Sequence, residues 1–94
     1  MRIEHSGEMH YIIALLDNGS IAIEFMDLKN GPPFDDELMR IQLVDLLNGI
    51  QNVNISKDRI GGEPSIQLST LNEESAFKQF IGILEWIVGQ IVGS

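Results

Sequence analysis

The stretch from Asn72 to Val92 constrains this chain most. On a helical wheel Phe77, Phe80, Ile81, Ile83, Leu84, Ile87, Val88, Ile91 and Val92 fill one arc about half the circumference wide. Apolar residues at that spacing mark a helix laid on a core. Asn72 is placed to cap it, with Glu73 and Glu74 in the first turn, where the helix dipole favours negative charge. Gly93 supplies a stop. The spacing therefore predicts a helix over 72–93.

A second row on this helix is unusual. Gly82, Trp86, Gly89 and Gly93 recur at i, i+4, i+7 and i+11. Interior glycine costs about 1 kcal/mol against alanine in a helix. One reading is a bare surface that carries one half-buried tryptophan. The other is a contact face that admits a second backbone, with Trp86 as its aromatic anchor. A membrane span is not expected, because a span needs about 20 largely apolar residues and Glu85 and Gln90 interrupt the run.

A strand-turn-strand pattern lies upstream. Glu8–Leu16 and Ile21–Leu28 read as strands joined at Asn18-Gly19, the dipeptide suited to a two-residue type I′ turn. That loop pairs Leu16 with Ile21, Ala14 with Ile23, Ile12 with Phe25 and His10 with Asp27. Both faces of such a hairpin are largely apolar, since Met9, Tyr11, Ile13, Leu15 and Met26 occupy the second. An exposed hairpin face normally alternates with polar residues, so each face calls for cover. Residues 1–7 read as a short leader or an edge strand.

The Asn30-Gly31-Pro32-Pro33 segment is a loop. A helix follows over Asp35–Leu47, capped by Asp35 or Asp36, with Met39, Leu43, Leu46, Leu47 and Ile50 as its stripe and Asn48-Gly49 as its stop. Val53 and Ile55 alternate with polar residues, as in a short edge strand. Residues 57–64 form a loop around Gly61-Gly62, and Ser65–Leu68 alternates again. The expected fold is α+β: a mainly antiparallel sheet of three or four strands with two helices on one face, in a single domain over residues 1–94.

Composition narrows the function classes. The net charge of −8 over 94 residues repels phosphate backbones, so nucleic-acid binding is not expected. Many of the acids stand at helix starts, where capping explains them. There is no cysteine, hence no disulfide framework and no thiolate chemistry. No signal-peptide pattern opens the chain, and a soluble cytoplasmic protein of bacterial type is the default expectation.

Candidate chemistry is sparse. Glu8, His10 and Asp27 carry ligand types suited to a divalent cation, although a His10–Asp27 cross-strand pair explains two of them and His5, of opposite strand parity, points elsewhere. Arg59, beside Glu63 in the glycine-containing loop, is a candidate for holding an anion. The loop lacks the G-x-x-x-x-G-K-[ST] pattern of a phosphate-binding turn, and no cofactor motif appears. No serine sits in a G-x-S-x-G context, and no acid/base pair stands out.

The expected function is therefore a non-enzymatic interaction or regulatory module that forms a homodimer. Its contact candidates are Trp86, Gly82, Gly89, Tyr11, Ile13 and Met26. The alternative is a small ligand- or metal-binding or enzymatic domain that uses the hairpin and the 57–64 loop. An acidic nucleic-acid mimic ranks behind both.

Overall fold

The computed structural model describes all residues 1–94 and is an α+β arrangement of two antiparallel sheets and three helices. The elements run β1 (Arg2–His5), β2 (Glu8–Tyr11), β3 (Ile13–Leu15), β4 (Ser20–Ile23), α1 (Phe25–Leu28), α2 (Glu37–Leu47), β5 (Ser65–Gln67) and α3 (Glu74–Val92). β1 pairs with β2, and a separate sheet has the order β3-β4-β5.

Of the two expectations for the opening residues, the edge strand is the one the structure shows, as β1 of the two-stranded sheet. These residues form a hairpin, with Arg2 opposite Tyr11 and His5 opposite Glu8. Its loop is Ser6-Gly7, both at positive φ (54° and 79°), which is what a type I′ turn demands.

The Asn18-Gly19 turn joins β3 to β4, but in a register one residue away from the expected one. Leu15 faces Ile21, Ala14 faces Ala22 and Ile13 faces Ile23. The Gly19 N–H donates to the Leu16 carbonyl (3.2 Å) and the Leu16 N–H donates to the Ser20 carbonyl (2.8 Å), so the loop holds three residues, Asp17 to Gly19. Only Gly19 has positive φ, at 80°. This is a turn closed by a left-handed glycine rather than a type I′ turn. Ser20 reinforces it, donating from its N–H (3.2 Å) and its hydroxyl (2.6 Å) to Asn18 Oδ1.

The return strand ends at Ile23, not Leu28. The Glu24 N–H still donates to the Ile12 carbonyl (2.9 Å), and the chain then coils into α1. Phe25 and Leu28, three residues apart, are both buried, a helical spacing that the strand reading overlooked. Asp27 replaces the missing ladder partner, because the Tyr11 N–H donates to its Oδ2 at 2.9 Å. The long strand expected over Glu8–Leu16 is accordingly divided at Ile12, between β2 in one sheet and β3 in the other.

All four residues of β4 are buried, so this chain covers both faces of its central strand itself. Val53 and Ile55 are buried but belong to no strand. The Asn48 side chain takes the place of a strand neighbour: its Nδ2 donates to the Ile55 carbonyl (2.9 Å) and its Oδ1 accepts from the Ile55 N–H (2.7 Å).

α2 is capped by Asp36, whose Oδ1 accepts from the Leu38 N–H at 3.0 Å. Its buried residues are Leu43, Val44 and Leu47, while Leu46 turns outward. α3 begins at Glu74 after a short 3₁₀ turn over Leu68–Leu71, so the expected Asn72 cap does not form. Twenty buried apolar residues make one contiguous cluster, with Phe25, Phe34, Leu43 and Ile87 among its largest members.

The accessible surface is 5492 Å². A folded monomer of this mass exposes about 5,400 Å² by surface scaling. The Cα radius of gyration is 12.6 Å, against about 12.4 Å for a compact chain of this length. The chain thus hides as much of itself as an ordinary monomer does. Any excess of apolar surface is a matter of where it lies.

Candidate functional site

α3 is where that placement shows. Its expected apolar arc is only half covered. Ala76, Phe80, Ile83, Leu84, Ile87 and Ile91 face the core. Phe77 is 52% exposed, Ile81 37% and Val92 53%, with Val88 half-buried between them. Together with Leu84 they recur at i, i+4, i+7, i+11 and i+15 from Phe77, which is a second seam beside the core-facing one. Met1, 48% exposed, joins Ile81, Leu84, Val88 and Val92 in lining an open trough of about 580 Å³, which the exposed Glu85 also borders. The sequence held a clue to this seam. A core-facing stripe is about 100° wide, and half a circumference is more than one contact needs.

The Gly82–Trp86–Gly89 row runs beside this seam, and Gly89 borders the trough as well. Trp86 is half-buried and packs on the core through Phe34, with ring centroids 5.8 Å apart and planes at 73°. Such edge-to-face pairs are worth about 1 kcal/mol beyond area burial. Gly82 and Gly89 are exposed, and a Cβ built on either meets no heavy atom within 4 Å. Nothing in this chain approaches them. Trp86 and Gly82 also border a groove of about 480 Å³ between α2 and α3, with Leu46 and Ile83 as its apolar part and Gln42, Gln79 and Asp45 as its polar part.

Of the other contact candidates, Tyr11 and Met26 are exposed and Ile13 packs partly against the core. Tyr11 shares the outer face of the first hairpin with Arg2, Glu4 and Met9, so that face is half charged.

The metal candidates part company. Hairpin pairing sets Ile3 beside His10 and His5 beside Glu8, so His5 shares a face with His10 and Glu8 rather than pointing away. These three border a small cavity of about 110 Å³ near Pro32 and Ile91. Asp27 is engaged with the Tyr11 N–H instead. No three His, Asp or Glu side chains anywhere in the chain converge closely enough to hold a metal ion.

Arg59 ends a 3₁₀ turn over Lys57–Arg59 and borders an open cleft of about 410 Å³ with Asn54, Ser56, Asp58 and Ser65. It makes no salt bridge. The neighbouring Asp58 carboxylate opposes an anion there. The 57–64 loop instead braces α1: the Met26 N–H donates to the Gly62 carbonyl (3.0 Å) and Lys29 Nζ donates to the Gly61 carbonyl (3.3 Å).

That bracing brings Glu63 towards Glu24 and Asp27, a grouping not apparent in the sequence. The Glu24 carboxyl is held above the ordinary glutamate range, first by burial and then by the like charges of Glu63 and Asp27.

No helix is long and apolar enough to cross a membrane. Comparison with known protein families, with characterised proteins and with solved structures finds no match.

Proposed function

We propose that this protein is a non-catalytic interaction module that self-associates through the outer seam of α3. The observation that carries this reading is that Phe77, Ile81 and Val92 stay open along one side of α3, with Val88 half-buried among them, on a chain otherwise as compact as an ordinary monomer. Contiguous apolar patches of this kind are uncommon on soluble monomers and tend to mark contact sites.

The spacing of the row favours a second copy as the occupant. Phe77 and Val92 stand equally far from the midpoint between Leu84 and Glu85, and so do Ile81 and Val88. A two-fold contact needs this self-complementarity. Two α3 helices laid antiparallel set Phe77 of one copy against Val92 of the other and Ile81 against Val88. Covering the half-exposed side chains recovers about 1 kcal/mol each. Summed over two copies, that is about 8 kcal/mol, against an association cost of about 4 kcal/mol or more. The pairing is accordingly weak and reversible, with a dissociation constant of about 1 mM.

Thermal unfolding followed over a range of protein concentrations tests this. Association of the native state alone makes Tm rise with concentration. Phe77→Ser removes the largest exposed member of the seam and should abolish that dependence with helix content retained. A wild-type Tm independent of concentration into the millimolar range would refute the reading.

A further inference from the structure

We infer that the α2–α3 groove binds an arginine side chain on a basic segment of a protein partner. This site is separate from the outer seam of α3 and does not depend on self-association.

Three observations converge on that ligand. The groove, at about 480 Å³, is within the size range of small-ligand sites. Its lining offers the Trp86 indole, the Gln42 and Gln79 amides and the Asp45 carboxylate, and Asp45 is the only charged residue among them. The whole chain carries a net charge of −8, so its field draws cationic partners towards it.

A guanidinium uses all of these groups together. Its plane stacks on an indole, and its N–H fork donates to a carboxylate and to amide oxygens. An ammonium has neither the plane nor the fork. Asp45 is free to make the exchange. Its present partner is Lys57 at 3.4 Å, with both side chains more than half exposed. Solvated pairs of that kind contribute little. Gly82 leaves the α3 wall bare, with nothing within 4 Å of where its Cβ would be, so the approach to Trp86 is open.

The chain has one tryptophan, so Trp86 emission reports the groove directly. The probes are a short arginine peptide and the same peptide with citrulline, which keeps the shape and removes the charge. The arginine peptide should give a saturable change in emission, and the citrulline peptide should bind about tenfold more weakly or worse. Asp45→Asn should weaken the arginine peptide by about tenfold. Gly82→Leu, which fills the groove, should abolish binding. Gln79→Lys provides a second block at an exposed position should Gly82→Leu fail to fold.

Equal responses to the two peptides would overturn the proposal. So would unchanged affinity in Asp45→Asn, or arginine binding retained by the blocking variants, which would reveal diffuse attraction to an acidic protein. Repeating the titration in Phe77→Ser keeps the outcome independent of the self-association reading.

Discussion

Replacing Gly82 and Gly89 with alanine asks whether the glycine face of α3 is bare in solution. Neither residue has positive φ, and neither Cβ would meet a heavy atom within 4 Å. Each substitution therefore brings only the gain in helix propensity, about 1 kcal/mol. The two sites are seven residues apart, about 10 Å along the axis, so the gains should add to about 2 kcal/mol. Unfolding a chain of this length carries an entropy of about 0.2 kcal/mol/K. One substitution should then raise Tm by about 5 °C and the pair by about 10 °C. Thermal melts by circular dichroism, with urea titration as a check, measure this directly. A fall in Tm for either variant would show that something packs against that face, and would return Gly82 and Gly89 to the contact surface that their spacing suggested.

Other consequences follow from the hydrogen bonds and charges. Asn48→Ala removes both bonds that hold the Ile55 backbone and should cost about 2 kcal/mol in urea unfolding. A loss within error would mean that water replaces the side chain freely. Gly19→Ala forces a Cβ into the left-handed region at φ 80° and should cost about 1–2 kcal/mol. Glu24→Gln should stabilise the protein near neutral pH, with solvent screening holding the gain below about 1 kcal/mol. The sign follows from the raised pKa: the native state holds the Glu24 proton more tightly than the unfolded chain does. The Glu24 contribution is thus favourable in acid and is lost as pH rises through the raised value. The gain from Gln should vanish below the ordinary glutamate range, and a gain that persists there would rule out the charge as its cause.

The α+β class and the terminal helix were legible because long periodic stretches report themselves. The details that failed share a physical origin. Asn18-Gly19 supports either a two-residue or a three-residue loop, since both place glycine where φ is positive. The choice fell to Ser20, whose N–H and hydroxyl both donate to Asn18. Phe25 and Leu28 read as strand residues until Asp27 took over the bond that a strand would have made to Tyr11. Val53 and Ile55 alternate and are buried as strand residues would be, yet a single amide, Asn48, stands in for the missing ladder. In each case one polar side chain substituted for backbone, and periodicity is blind to that. The candidate contact surface was legible only as excess width on α3. Which half of the arc would stay open depended on how the other elements packed against it.

Sedimentation equilibrium over a concentration series reaching the millimolar range tests the central claim most directly. The account predicts a weight-average mass rising from that of the 10.5 kDa chain towards twice that value, with Phe77→Ser remaining at the single-chain mass throughout. A wild-type mass fixed at 10.5 kDa across the series would contradict it.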